Sequence, residues 1–214
     1  SLAAGFGRAD RLYGFAHHIV ETTFLATSTG VRRRFTQPTG SVEINAKRNG
    51  ASAWAGMSTP WFADVATDGL LDELSRRLDW SSRTVELPAG RYETLMPPSA
   101  VADMMIYLGW SMDGRGAQEG RTALSAPGGG TRVGEQLTQL GLTMYSDPAA
   151  AGLECSPFVA ASSSSETVSV FDTGLDIGRV DWIRDGAVNA LAYPRGAAAE
   201  FGVEPAIPAD NLLM

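Results

Sequence analysis

Apolar positions in this chain follow two periods, and the change from one to the other lays out the architecture. Across residues 12–61 they favour extended backbone, with Ile19-Val20, Thr22-Thr23-Phe24-Leu25, Val42-Glu43-Ile44 and Ala53-Trp54-Ala55 as β-branched or aromatic runs. Breaks are expected at Ser28-Thr29-Gly30, Gln37-Pro38-Thr39-Gly40 and Asn49-Gly50. Asn-Gly suits a tight hairpin because both residues tolerate the positive φ of a type I′ turn. The pattern predicts an antiparallel meander. The period then lengthens: Leu70, Leu71, Leu74 and Leu78 form a helical stripe, with Thr67 or Asp68 as the expected cap. Asp72 and Glu73 lie early in it and Arg76 and Arg77 late, which complements the helix dipole.

The stretch around Pro88-Ala89-Gly90 is the expected boundary, giving domains at 1–88 and 89–214. Beyond it, residues 91–96 read as a short strand stopped by Pro97-Pro98. Val101, Met104, Met105, Leu108 and Met112 then recur at helical spacing. Ile106, Tyr107 and Trp110 make the opposite side apolar too, which predicts a helix buried between layers. A glycine loop at Gly128-Gly129-Gly130 and a strand at 140–145 follow. Further on, strands are expected at 168–171, 180–183 and 189–193, an Asp185-Gly186 hairpin turn, and a helix at 195–201; the serines at 162–165 read as a loop. The fold class is α+β: an antiparallel β meander plus helix, followed by a mixed α+β domain with a buried helix, in two unequal domains.

Composition narrows the function classes. The 214 residues are 44% hydrophobic and 19% charged, a globular balance able to bury a real core. No apolar run is long enough to span a bilayer, so no membrane role is expected. The net charge of −7 disfavours direct nucleic-acid binding, which needs clustered cations. Lys47 is the sole lysine, and Arg32-Arg33-Arg34, on a predicted strand, should split between two faces as a solvated edge. One cysteine, Cys155, permits no internal disulfide and fits a cytoplasmic setting.

Candidate chemistry is sparse. His17-His18 with Glu21 could suggest a metal, but adjacent histidines on a strand point to opposite faces, so one core-facing and one exposed imidazole are expected. Cys155 has no neighbouring cation and reads as a buried thiol. Gly128, Gly129, Gly130 and Arg132 could hold an anion through backbone N–H groups, yet match neither a P-loop nor a dinucleotide fingerprint. A plain loop is the first reading, and a backbone that an extended peptide can approach is the second.

The order of several short motifs resembles the TldD/PmbA family of metallopeptidases, also called modulators of DNA gyrase. The matching pieces are Val133-Gly134-Glu135, the strand end Ser146-Asp147-Pro148, Phe171-Asp172-Thr173-Gly174-Leu175, and the hairpin about Trp182-Ile183-Arg184-Asp185-Gly186. In the catalytic branch of that family the helix matching 100–110 carries HExxxH. With Leu95-Met96-Pro97 as anchor, those positions fall at Met105, Ile106 and Trp110, none of which binds zinc or takes a proton from water.

The resemblance therefore implies the TldE/PmbA-like branch: no catalytic or metal residue in this chain, and zinc on a TldD-like HExxxH partner. It implies a heterodimer with that subunit, or a homo-oligomer, holding unfolded peptide as an added strand, and a chain covering part of a longer protein. The refilled cleft would bury Met105, Ile106 and Trp110. Two rival expectations are a non-proteolytic binding or regulatory module, and an enzyme using Cys155, His17 and His18 as unfamiliar ligands.

Overall fold

The computed structural model describes residues 11–214. The chain divides into two compact units, one formed by residues through Glu21 with Thr36–Glu93, the other by Thr22–Phe35 with Thr94–Met214.

Strands β1 (Arg11–Ala26), β2 (Arg32–Arg48) and β3 (Ala51–Ser58) form a sheet in that order. β2 and β3 are antiparallel from Arg48↔Ala51 to Ser41↔Ser58. Their turn has Asn49 at φ 50° and Gly50 at φ 83°, as the Asn-Gly pair predicts. Helix α1 (Thr67–Trp80) lays Leu70, Leu71, Leu74 and Leu78 against Val42, Ile44, Ala46 and Ala55, forming the core of the first unit. Val42, Ile44 and Ala46 alternate with exposed residues because successive side chains on a strand point to opposite faces.

Two expectations fail here. The helix begins after Ala66, which makes no side-chain cap, so neither Thr67 nor Asp68 is the cap. Residues 37–40 are not a break but lie inside β2. Gly40 serves close approach instead of turning: a Cβ there would stand 2.9 Å from the Thr59 carbonyl and 3.1 Å from that of His17.

The second unit contains α2 (Pro98–Trp110), α3 (Gly114–Gln118), α4 (Arg195–Phe201) and a small antiparallel sheet. That sheet runs β4 (Met144–Ser146), β5 (Val180–Arg184), β6 (Ala187–Val188). Its hairpin turns on Asp185 (φ 50°) and Gly186 (φ 81°). Met112, Leu124, Met144, Trp182, Ile183 and Leu191 anchor a separate core. Inside it the Trp182 indole N–H donates to Ser146 Oγ at 3.2 Å, and the same hydroxyl accepts from Ala209 N at 3.3 Å.

With two three-stranded antiparallel sheets and four α-helices among the described residues, the fold is α+β as expected. Several predicted strands are not formed. Residues 91–96 are exposed and irregular, residues 170–172 make a 3-10 turn, and 189–193 contribute only isolated bridges such as Tyr193↔Ala206. The strand expected at 140–145 shrinks to β4. β-propensity acts only where a partner strand completes the ladder. Among the described residues no helix is long and apolar enough to cross a membrane.

Candidate functional site

Helix α2 carries the positions that matter most. Pro98 occupies its first turn, where a missing N–H is harmless, and Ser111 closes its end with Oγ donating to the Leu108 carbonyl at 2.7 Å. Met105 and Leu108 pack, partly buried, on the core of the second unit, and Gly109 faces Leu212 across 3.5 Å from where a Cβ would stand. The other side is bare. Ile106 is 46% exposed and Trp110 71%, and Met104 and Tyr107 are exposed beside them. Tyr107 and Trp110 meet edge to face with ring centroids 5.3 Å apart.

The expected burial between two layers is thus wrong for this helix. No residue of α2 is fully buried; of Met105, Ile106 and Trp110 only Met105 packs inward. The physical reason is that a helix apolar on all sides needs a layer on each side, and the described residues supply one. The exposed Tyr107 and Trp110 form an aromatic ledge instead of filling a closed cleft.

The glycine loop proves to be a tight turn. Gly128, Gly129 and Gly130 all have positive φ, Gly129 N donates to Ala126 O, and Ser125 bridges Thr131. No neighbour crowds the Cβ positions of Gly128 and Gly129, so these glycines are present for backbone conformation. Arg132 does not face an open anion site. Its Nε and Nη2 donate to Glu135 at 2.7 and 2.5 Å, and Nη1 donates to the Ala123 carbonyl. This bidentate pair lowers the pKa of Glu135 and raises that of Arg132. The guanidinium is directed to these partners and not to α2.

His17 and His18 find separate partners, and neither is a core histidine. The half-buried His17 pairs through Nδ1 with Ser41 Oγ at 3.1 Å, and the exposed His18 pairs through Nε2 with the Pro60 carbonyl at 3.1 Å. Cys155 is buried, and burial pushes its thiol pKa up, the opposite of a nucleophile's need. Among the described residues no three His, Cys, Asp or Glu side chains gather in a way that could hold a metal.

Two buried carboxylates escaped sequence reasoning. Asp113 caps α3 by accepting from Gly116 N at 2.9 Å, while its Oδ1 has no partner. The nearby Tyr193 hydroxyl has its pKa raised, first by burial and also by the Asp113 charge. Asp172 is almost fully buried and binds Arg195 at the start of α4. Asp-Gly after a helix and Phe-Asp-Thr-Gly were the available signals, but neither reveals burial.

Comparison with known proteins places this geometry. The profile of the PmbA/TldA metallopeptidase C-terminal domain matches residues 89–211. A solved candidate modulator of DNA gyrase from Thermotoga maritima is 16% identical with a TM-score of 0.76, covering 99% of this chain and 49% of that one. Another from Bacteroides thetaiotaomicron is 17% identical with a TM-score of 0.72, covering 100% and 47%. TldE from Thermococcus kodakarensis is 14% identical with a TM-score of 0.68, covering 95% and 44%. The chain thus spans about half the length of each of these structures. No curated protein matches it.

Proposed function

The chain belongs to the PmbA/TldD metallopeptidase family, and from that premise we propose that it forms part of a non-catalytic, TldE-like subunit of a TldD/TldE-type peptidase. The observation that carries the reading is the chemistry of α2. A thioether at Met105, a hydrocarbon at Ile106 and a donor-only indole at Trp110 stand where a catalytic relative needs two imidazoles and a carboxylate. These residues do not fit a zinc ion, so no metal step belongs to this helix. The zinc belongs on an HExxxH-bearing partner.

The exposed side of α2 supports the same reading. Exposed Met104, Ile106, Tyr107 and Trp110 give an apolar ledge of the kind that a subunit or a further part of the protein covers. The subunit's contribution is then structural: it completes a chamber in which an extended, unfolded peptide is held by backbone pairing. The turn at Gly128, Gly129 and Gly130 is a contact point for such a peptide, offered through backbone, because Arg132 is already engaged by Glu135. A cytoplasmic setting completes the proposal.

Native mass spectrometry of the complete gene product from its own host tests it. A one-to-one complex with a zinc-bearing HExxxH protein is expected. A metal-free homo-oligomer without such a partner would overturn the proposal and leave a non-proteolytic binding module in its place.

A further inference from the structure

The tip of the β1–β2 hairpin, residues 22–35, has two chemically different faces. Leu25, Val31 and Arg33 look to one side, where Gly174 approaches Leu25 and Val31 and Arg33 donates to Asp176 at 2.7 Å. Strand alternation sends Phe24, Arg32 and Arg34 to the other side. There Phe24 is 72% exposed and the Arg34 guanidinium lies 5.3 Å from the centre of its ring. Arg32 curls over the turn, its Nη1 donating to the Thr27 and Val31 carbonyls at 3.0 and 2.9 Å. Among the described residues neither Arg32 nor Arg34 has an ion-pair partner, whereas Arg33 does. Two cations without an ion pair among the described residues therefore share a face with an exposed aromatic ring, Arg34 directly against it, on a chain whose net charge is −7.

We infer that this face is a docking site for an acidic segment of a protein partner. Charge complementarity favours that occupant: the guanidinium forks can take carboxylates two-pronged, and Phe24 supplies an apolar anchor beside Arg34. Nucleic acid fits less well, since two guanidiniums are too few to track a phosphate backbone, whereas one or two carboxylates of a short acidic segment need no more. A second copy fits only if it presents its own carboxylates to this face. The inference does not depend on the peptidase reading, because it uses no residue of α2.

The test uses the full-length protein and fluorescein-labelled hexaglutamate, with hexalysine and a single-stranded oligonucleotide as competing probes, in fluorescence anisotropy at low ionic strength. Saturable binding of hexaglutamate alone is expected, weakening by about tenfold in the Arg32→Ala/Arg34→Ala double variant and on raising salt. Arg34→Lys should retain part of the binding and Phe24→Ala should weaken it, with circular dichroism confirming that each variant is folded. Equal binding by the double variant, preference for the oligonucleotide, or no saturable binding of hexaglutamate would each overturn the inference. Failure here with an HExxxH partner still present in native mass spectrometry would leave the proposed function standing.

Discussion

Asp172 accepts two hydrogen bonds from one residue, the backbone N–H of Arg195 at 3.0 Å and its Nε at 2.8 Å. The carboxylate side chain is 2% exposed and the guanidinium 53%, so the charge is buried on one side only. The pair ties the Phe171-Asp172-Thr173 turn to the first residue of α4, where the helix leaves backbone donors unsatisfied. Hydrogen bonds to a charged group are worth more than neutral ones, so Asp172→Asn should cost about 2 kcal/mol. Urea unfolding of the full-length protein reads this directly, and an unchanged midpoint would show the pair to be incidental.

Gly114 faces the ring of Tyr193 so closely that a Cβ would fall 2.2 Å from its Cζ. The ring cannot yield easily, because Tyr193 is itself buried and its hydroxyl accepts from Gln118 Nε2 at 3.3 Å. Gly114→Ala should therefore destabilise by about 1–3 kcal/mol, the usual range for overpacking a core. Thermal denaturation followed by near-ultraviolet circular dichroism, which reports on Tyr193, is the appropriate measurement.

Leu74 and Trp110 make a contrasting pair. Leu74 is 2% exposed inside the α1 core, and its replacement by alanine should cost about 2–5 kcal/mol through a cavity. Trp110 is 71% exposed, so Trp110→Ala should change stability by no more than about 0.5 kcal/mol. Its effect belongs on assembly: the same variant should weaken association with the partner subunit in a pull-down of the complete proteins. Large destabilisation by Trp110→Ala, with assembly intact, would refute the role given to the ledge.

Acid should loosen the segment that carries Arg132. Glu135 has its pKa lowered from 4.5 by the hydrogen-bonded guanidinium of Arg132. A group whose folded value lies below its unfolded one stabilises at pH above the unfolded value and loses that contribution as pH falls through the folded value. The effect is confined to the window below about 4.5, the ordinary carboxylate range, and is small because both groups are open to solvent. Glu135→Gln should remove this small contribution at neutral pH and match the parent protein at acid pH, so that the acid limb of stability against pH is flattened, as read by urea midpoints in a pH series.

Cys155 offers a check on packing independent of any variant. Its buried thiol, with a raised pKa, should react with a disulfide reagent far more slowly in the native protein than after denaturation. Equal rates would show that the segment around Cys155, whose backbone N–H donates to the Pro148 carbonyl, opens freely.

Much of the secondary structure was legible because it is encoded locally. The Leu70, Leu71, Leu74 and Leu78 stripe needed only helical spacing, and the Asn49-Gly50 and Asp185-Gly186 turns needed only residues that tolerate positive φ. Motif order likewise pointed to the PmbA/TldD family, and the absence of histidine or glutamate at Met105, Ile106 and Trp110 is a matter of residue identity alone. Tertiary structure decided everything that depends on a distant neighbour. Gly40 marked a break by composition but lies mid-strand, where the Thr59 and His17 carbonyls leave no room for a side chain; residues 91–96 stay irregular despite their strand-like pattern. The α2 periodicity could not say whether a second layer exists, and so could not distinguish a buried Trp110 from an exposed one. The same holds for charge: Arg32, Arg33 and Arg34 are alike in sequence, and only the position of Asp176 makes one of them a tie and leaves the other two without an ion pair among the described residues. Local patterns record the chain's own conformational preferences, whereas burial and pairing are properties of whatever the folded chain brings alongside.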